Sequence, residues 1–292
     1  MKRVLITVWA IFLLSGCNTA PNLGDQSQVK SLEFDMNPKE LGYGSVRYNS
    51  LYVPNGFDKS KKYPAVVVLP ACADHTPKST NFDKWTKLFL ENGYITIMVS
   101  HLRARGIYKF ACAGDKPIPE AAFINDLYDA VEKLANLDFV KREEIFAIGF
   151  SLGAMTISMS SSASIYETYQ NGRPKFKAAA GLYGGCLLGK NQNIRFMFSD
   201  TNVPLLWLMG DADTETPISG CYMVKDLKKK VPGFDFHVYP GMTHCWDCEG
   251  LNGFTKIHKR SGAYIKYVYD ESVTKDSEKR VLNFFKSFET QN

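Results

Sequence analysis

Residues 145–154 constrain the fold of this sequence more than any other stretch. They form a short apolar run, a turn of small residues and the start of a helix-like segment. A serine in a sharp strand-to-helix turn needs small neighbours, and Gly149 and Gly153 flank Ser151 in this way. We predict that the turn exposes the Ser151 hydroxyl, with the Leu152 backbone N–H beside it as an oxyanion donor. The alternative is an ordinary Gly/Ser turn that caps a helix.

Two more polar segments follow apolar, strand-like runs downstream of the serine. The run 204–210 ends in the acidic loop 211–217, and the alternating segment 234–239 opens into a loop that ends at His244. A serine hydroxyl is a good nucleophile only when an imidazole takes its proton, and a carboxylate must hold that ring in the right tautomer. The order serine, aspartate, histidine resembles the triad order of the α/β-hydrolases. We therefore predict a catalytic triad, although an acidic loop or a single histidine is by itself often structural.

The chain from residue 32 to residue 292 predicts one α/β domain. Apolar, β-branched runs alternate with helix-like segments, and no long linker interrupts them. The fully apolar run 63–70 is typical of a central parallel strand that is covered by helices on both faces. We therefore expect an α/β-hydrolase fold, with a mostly parallel central sheet and helices on both faces. Segment 43–53 predicts a half-exposed edge strand, and segment 251–274 hints at a hairpin, a candidate rim over the site.

The amino terminus resembles the signal of a bacterial lipoprotein. A basic start at residues 1–3 precedes the apolar run 4–14, which is too short to cross a bilayer, and the motif Leu-Ser-Gly-Cys ends at Cys17. We predict that residues 1–16 are a signal peptide and that lipid on Cys17 anchors the protein in the bacterial cell envelope, facing the periplasm or in the outer membrane. Residues 17–31 are polar and predict a flexible tether. The alternative is an ordinary signal peptide with Cys17 as a bystander.

The cysteines fit an exported protein. The chain has 7 cysteines, so an even number remains once Cys17 is assigned to lipid, which suits an oxidising compartment. Four of those remaining follow predicted strands and are expected at one rim of the sheet. The predicted disulfides are Cys72–Cys112, Cys186–Cys221 and, by elimination, Cys245–Cys248. The alternative for the last pair is a redox-active site, because two residues separate its cysteines.

Two loops after predicted strands supply further candidate groups. The loop after the central apolar strand contains Ala71 and Cys72, and the backbone N–H of one of them is expected to complete an oxyanion hole with that of Leu152. The loop after the next strand contains Arg103 and Arg105. Either arginine is a candidate to bind a substrate carboxylate through its guanidinium group. The alternative is a salt bridge with a neighbouring carboxylate.

Charge argues against some classes of partner. The formal net charge of +5 in 292 residues is modest, and the lysines are scattered along the chain. This pattern is typical of a solvated surface rather than of a site for an anionic partner. No stretch interleaves basic and aromatic residues as nucleic-acid-binding surfaces do, so we expect no nucleic-acid partner.

Across most of residues 63–288 the sequence resembles the dienelactone hydrolase family of α/β-hydrolases. The matching motifs are 69–72, 105–106 with Cys112, 149–154, 182–186, 210–213 with Pro217 and Cys221, and 239–244. The resemblance implies that Ser151 is the nucleophile, Asp213 the acid and His244 the base. Asp211 is the less favoured alternative to Asp213.

The sequence departs from the best-known dienelactone hydrolases at two positions. Those enzymes carry a cysteine nucleophile and a glutamate beside the oxyanion loop, whereas this chain has Ser151 and no glutamate in 70–73. We therefore expect a serine hydrolase that forms an acyl-enzyme on some other small-molecule ester or lactone, without a metal or a cofactor. Two alternatives remain: a small peptidase that resembles the prolyl oligopeptidase type, and a non-catalytic envelope lipoprotein that binds a ligand.

Overall fold

The structure is a computed structural model that describes residues 22–41, 46–76, 80–108, 117–188, 195–196, 201–221, 231–258 and 262–290. The predicted signal peptide, Cys17 and Cys112 lie outside these residues, so lipid attachment at Cys17 and the pairing of Cys112 stay predictions. Within the described residues, no helix is both long enough and apolar enough to span a membrane.

The described part of the chain contains twelve strands, and eight of them form one central sheet. In chain order the strands are β1 (Asp35–Glu40), β2 (Ser50–Val53), β3 (Tyr63–Leu69), β4 (Ile95–Met98), β5 (Val140–Phe150), β6 (Ala179–Leu182), β7 (Leu187–Leu188), β8 (Arg195–Phe196), β9 (Leu205–Gly210), β10 (Phe234–Tyr239), β11 (Thr255–Ile257) and β12 (Tyr264–Lys266). The central sheet has the order β1-β2-β4-β3-β5-β6-β9-β10. All neighbouring strands in it are parallel except β2 and β4, so the predicted mostly parallel sheet is confirmed.

Five α-helices are described, and they cover both faces of the central sheet. They are α1 (Thr80–Glu91), α2 (Glu120–Ala135), α3 (Leu152–Ser160), α4 (Ala163–Tyr169) and α5 (Glu271–Lys286). Side chains of β3 alternate between two apolar clusters. Val67 belongs to the cluster that contains residues of α2 and α3, and Val66 to the cluster that contains residues of α1 and α5. This arrangement is the predicted α/β-hydrolase architecture.

The central strands are apolar because helices cover both of their faces. Residues 65–69 of β3 and residues 145–148 of β5 are all fully buried. Each large apolar side chain that is buried in this way contributes about 1.5–3 kcal/mol to folding. The face that carries α1 and α5 is closed by aromatic packing, in which Phe89 and Phe285 stack with ring centroids 6.0 Å apart. The strand ends that carry the polar loops are therefore set on a rigid core.

The amino-terminal part of the domain differs from the sequence prediction in two ways. β1 lies outside β2, so β2 is an inner strand, and all its residues are buried rather than half-exposed. The predicted tether also extends too far along the chain. Leu23 is 3% exposed within the apolar core, and its carbonyl oxygen accepts a hydrogen bond from the Ala121 N–H. The folded domain therefore begins before residue 32.

β11 and β12 form the antiparallel hairpin at which segment 251–274 hinted. Ile265 of β12 is buried against the domain, whereas Ile257 and Tyr264 on the other face of the hairpin are 60% and 59% exposed. The hairpin contacts the loop after β9, because the Thr214 hydroxyl donates to the Tyr264 carbonyl oxygen at 2.8 Å. The hairpin thus packs beside the acidic loop 211–217.

Replacing Gly153 with alanine tests how closely α3 packs on β3. A Cβ atom at this position would lie 2.4 Å from the Leu69 carbonyl oxygen and 2.7 Å from that of Pro70, so the backbone would have to shift. We expect Gly153→Ala to lower the free energy of unfolding by about 1–3 kcal/mol, as overpacking usually does. Gly185→Ala is the matched control, because its Cβ would meet only the flexible Met155 side chain, at 3.7 Å. Urea unfolding measures both variants, and equal stabilities would contradict the close packing.

Candidate active site

The turn after β5 holds Ser151 in a conformation that serine rarely adopts. Its φ and ψ angles are 52° and −109°, and Leu152, the next residue, begins α3. The backbones on either side pack closely, since a Cβ atom at Gly149 would lie 2.3 Å from the Gly153 carbonyl oxygen. Non-glycine residues in such strained conformations cluster at functional sites. The predicted strand–turn–helix unit is therefore present, and its small residues are required by the packing. The predicted exposure of Ser151 is wrong, because the loops around the turn leave the residue only 4% exposed.

Asp213 and His244 contact each other at the same edge of the sheet. Asp213 lies in the loop after β9 and His244 in the loop after β10, and these two strands are parallel neighbours. The Asp213 Oδ2 atom is 2.7 Å from the His244 Nδ1 atom. Both residues are buried, at 3% and 4% exposure. Because the carboxylate occupies Nδ1, Nε2 is the ring nitrogen left to accept a proton.

Hydrogen-bond donors on both oxygens hold the Asp213 carboxylate in place. Its Oδ1 atom accepts hydrogen bonds from the backbone N–H groups of Glu215 and Thr216 at 2.8 and 2.9 Å. The Thr216 hydroxyl, which the sequence prediction did not single out, lies 2.7 Å from Oδ2. Asp211 is instead exposed, and it accepts a hydrogen bond from the Gly241 N–H at 2.6 Å. Asp213, and not Asp211, is therefore the aspartate that contacts the histidine.

Tyr183 links the strand end that carries Ser151 to His244. It follows β6, which pairs with β5. Its ring centroid lies 4.8 Å from that of His244 and 6.1 Å from that of Phe150. Within the described residues, the imidazole forms no hydrogen bond with the Ser151 hydroxyl. Such hydrogen bonds are often long in ligand-free sites and tighten only when the substrate is bound.

A buried polar network lies behind His244. The Asp247 carboxylate accepts hydrogen bonds from the Tyr183 hydroxyl and from the Trp85 indole N–H, each at 2.8 Å, and from the Asn81 amide at 3.3 Å. Burial raises the pKa of Asp247, and it raises the pKa of the Tyr183 hydroxyl well above its usual range. Tyr183 therefore stays neutral, and its hydrogen bond fixes the ring that packs on His244.

The loop that contains Ala71 and Cys72 meets Leu152 at one edge of the sheet, because β3 pairs in parallel with β5. Asp74, which the sequence prediction did not single out, fixes this loop. Its carboxylate accepts a hydrogen bond from the Leu102 N–H at 2.7 Å and so ties the loop to the one after β4. That the backbone N–H of Ala71 or of Cys72 completes the oxyanion hole with that of Leu152 stays a prediction.

The two predicted substrate-binding arginines differ in their surroundings. The Arg105 guanidinium forms a bidentate salt bridge with Asp126 of α2, at 2.7 and 2.9 Å, and its Nε donates to the Lys30 carbonyl oxygen. With a side chain only 6% exposed, Arg105 fits the salt-bridge alternative rather than a substrate-binding role. The Arg103 guanidinium carbon lies 5.6 Å from the centre of the Tyr108 ring, and its binding role stays a prediction.

Two of the predicted cysteine pairs lie within the described residues, and both form disulfides: Cys186–Cys221 and Cys245–Cys248. The second disulfide starts at the residue after His244 and closes the short turn 245–248 that directly follows it. Cys72 is also disulfide-bonded. Its predicted partner, Cys112, lies outside the described residues.

A comparison with protein-family models places this domain among known hydrolases. The model of the dienelactone hydrolase family matches residues 53–289, which include Ser151, Asp213 and His244. The chain belongs to the dienelactone hydrolase family. It is therefore a hydrolase that acts on esters.

Solved structures with the same fold cover most of the hydrolase. A Klebsiella pneumoniae protein described as a dienelactone hydrolase aligns with a TM-score of 0.59 and 17% identity, over 81% of this chain and 91% of its own. Esterase 2 of Thermogutta terrifontis, with propionate bound, aligns with a TM-score of 0.56 and 12% identity, over 83% of this chain and 90% of its own. An α/β-hydrolase from a Medee basin deep-sea metagenome aligns with a TM-score of 0.52 and 16% identity, over 81% of this chain and 89% of its own. These likenesses show the α/β-hydrolase fold. No curated protein matches the chain.

Glu215 is a functional candidate that the sequence prediction for this hydrolase did not single out. Its Oε2 atom lies 3.9 Å from the His244 Nε2 atom. Burial lowers the pKa of His244, but the Asp213 and Glu215 carboxylates together outweigh burial and raise that pKa above its ordinary value. The sequence feature that could have indicated Glu215 is its position, because it belongs to the same acidic loop as Asp213.

Replacing Asp213 with asparagine tests which carboxylate serves His244. An amide favours the wrong imidazole tautomer, so we expect Asp213→Asn to lower kcat for ester hydrolysis by about three to four orders of magnitude. Asp211→Asn is the matched control, because the Asp211 carboxylate contacts the Gly241 N–H on the surface. We expect it to keep nearly normal kcat. Hydrolysis of p-nitrophenyl acetate measures both variants, and an equal loss in two folded proteins would contradict the assignment.

Proposed function

We propose that this hydrolase cleaves an ester or lactone through an acyl-enzyme on Ser151. The observation that carries the proposal is the strained backbone of Ser151, with φ at 52°, at the same sheet edge as the buried pair of Asp213 and His244. Such a backbone conformation costs about 1–3 kcal/mol and persists only where the surrounding packing enforces it. Strain at a serine on the same sheet edge as a histidine–aspartate pair is expected where the position of the hydroxyl serves chemistry.

In the proposed reaction, the Ser151 hydroxyl oxygen attacks the carbonyl carbon while His244 Nε2 takes the hydroxyl proton. Asp213 keeps the other ring proton on Nδ1 and stabilises the imidazolium. The Leu152 N–H and one N–H of the 71–72 loop donate to the oxyanion. The carbon–oxygen bond to the leaving group then breaks, and the imidazolium gives its proton to the departing alkoxide oxygen. Water attacks the acyl-enzyme in the same way and releases the acid and the free serine.

The structural relatives support a small-molecule ester as the substrate class. Esterase 2 of Thermogutta terrifontis was solved with propionate and with butyrate bound, and it is phosphorylated by paraoxon. The proposed reaction of this chain uses neither a metal nor a cofactor, and it needs no nucleic-acid partner. Arg103 is the remaining candidate to bind a substrate carboxylate.

Fluorophosphonate labelling tests the proposed nucleophile. The probe reacts with an activated serine, so we expect it to label the wild type and not Ser151→Ala. Ser158→Ala is the matched control, because the Ser158 hydroxyl lies in α3 and donates to the Met155 carbonyl oxygen. We expect that control to be labelled like the wild type. An unlabelled wild type, or equal labelling of Ser151→Ala, would favour the non-catalytic envelope lipoprotein.

A substrate panel then separates ester from peptide chemistry. It contains p-nitrophenyl esters of increasing acyl length, lactones and dipeptide amides, and each is compared by kcat/KM. We expect an ester or lactone to be cleaved fastest. Faster cleavage of the dipeptide amides would indicate a peptidase of the prolyl oligopeptidase type. The acyl length at the maximum reports the size of the acyl pocket, although each methylene changes binding by only about 1–3 kcal/mol.

We also propose that lipid on Cys17 anchors the hydrolase in the bacterial cell envelope. The support is the motif Leu-Ser-Gly-Cys after a basic and apolar start. We expect Cys17→Ser to move the protein from the membrane fraction to the soluble fraction. Asn22→Ala keeps the cysteine and is expected to remain with the membrane. Retention of Cys17→Ser in the membrane fraction would contradict the anchor.

A further inference from the structure

Glu215 approaches the side of the His244 ring that Asp213 does not occupy. Asp213 contacts Nδ1, whereas the Glu215 Oε2 atom lies 3.9 Å from Nε2. The Glu215 side chain is only 8% exposed, so solvent screens this electrostatic interaction weakly. The imidazole therefore lies between two carboxylates.

Two side chains from the hairpin region hold the Glu215 carboxylate. Lys256 of β11 donates from Nζ to Oε1 at 2.7 Å, and the hydroxyl of Tyr267, just after β12, donates to Oε2. The Glu215 backbone N–H donates to Asp213 Oδ1 at 2.8 Å, so the residue is fixed at both ends. Burial raises the pKa of Glu215, but His244, Lys256 and Tyr267 outweigh burial and lower it. The carboxylate is therefore ionised at neutral pH.

The titratable groups around His244 come from several elements that pack against it. They are Asp213 and Glu215 after β9, Tyr183 after β6 with Asp247 behind it, Lys256 in β11 and Tyr267 after β12. Burial raises the pKa of both tyrosine hydroxyls, so both are neutral near pH 7. The charges nearest to the imidazole are thus two carboxylates and the Lys256 ammonium.

We propose that Glu215 is a positioning residue that faces the Nε2 edge of His244 and stabilises, through its charge, the imidazolium that forms when Ser151 gives up its proton. The inference rests on the proposed function. Asp213 and the Thr216 hydroxyl contact the Nδ1 edge, at 2.7 and 3.2 Å, and Glu215 adds a second charge on the side where the proton arrives. Because the hairpin holds Glu215 through Lys256, the position of the hairpin is coupled to the strength of the base.

The distance explains why a carboxylate is tolerated beside Nε2. A separation of 3.9 Å is too long for a hydrogen bond, so the carboxylate does not occupy the nitrogen that must accept the serine proton. Electrostatic attraction needs no such contact, and it acts on the imidazolium over several ångströms in a buried site. Nε2 thus stays available to Ser151 and then to the leaving group.

The neighbouring charges give the pH dependence a definite sign. Burial lowers the pKa of His244, the two carboxylates raise it, and Lys256 lowers it. A base works only when it is unprotonated, so the acid limb of the kcat/KM profile follows this pKa. Removing the Glu215 charge should move the limb to lower pH. Removing the Lys256 charge should move it to higher pH.

The test compares Glu215→Gln with Lys256→Met in the full-length hydrolase. The pH profile of kcat/KM is measured on the best ester of the panel, and the His244 titration is followed separately by NMR. We expect Glu215→Gln to lower the titration midpoint and the acid limb by about 0.5–1 pH unit, since a nearby opposite charge shifts a pKa by this order or more. We expect the pH-independent kcat/KM to fall about threefold to tenfold. Lys256→Met should shift the same midpoint upward.

The pair Lys84 and Glu249 supplies matched controls, because it is a solvent-exposed salt bridge of 2.6 Å. Lys84→Met and Glu249→Gln should leave the midpoint unchanged. Shifts of the same sign for Glu215→Gln and Lys256→Met, or no shift, would overturn the proposal, since a merely structural role moves both alike. If Glu215→Gln does not fold, Lys256→Met still tests the proposal, since we expect that variant to shift the midpoint of the His244 titration upward. If the wild type cleaves no ester, the proposed function fails, whereas the NMR midpoints still test the contact.

Discussion

The close approach of the start of α3 to the end of β3 is the contact on which the rest of the site depends. A Cβ atom at Gly153 would lie 2.4 Å from the Leu69 carbonyl oxygen, so only glycine permits this distance. The chain turns sharply at Ser151, two residues before this contact, where φ is 52°. Leu152 also packs with Cys72 of the loop after β3 in one apolar cluster. Local packing of two backbones thus fixes the position of the proposed nucleophile and of its proposed oxyanion donors together.

Parallel strand order brings the other groups to that turn. The neighbours β5, β6, β9 and β10 all run in the same direction, so the loops at their carboxyl ends meet at one edge of the sheet. Each of these loops supplies one group: Ser151, Tyr183, Asp213 and His244. Loops at the carboxyl ends of parallel strands are the usual place for sites in such sheets. The buried network around Asp247 then fixes the last of these loops from behind, through the ring of Tyr183.

Features of the fold and the site that depend on neighbouring residues could be predicted from the sequence. Features that depend on contacts between distant segments could not. Gly149, Ser151 and Gly153 lie within one turn, and their spacing alone predicts the conformation. Arg105 illustrates the opposite case, because its partner Asp126 lies on another element and the pairing depends on how α2 packs. The burial of Leu23 likewise depends on a surface that the rest of the domain creates. The proposed role of Glu215 depends on a hairpin that lies later in the chain, because its partner Lys256 is 41 residues away in sequence.

The balance of charge around His244 changes when the ring takes up a proton. With a neutral ring, Asp213 and Glu215 carry one more negative charge than Lys256 balances. When the ring takes a proton, two positive charges, on His244 and on the partly exposed Lys256, face the two negative charges. An uncompensated charge is costly in a medium of low polarity, and opposite charges nearby offset part of that cost. In the proposed reaction, the step that protonates His244 therefore moves the site toward electrical balance, and the return of the proton to the leaving group restores the imbalance that favours the next turnover.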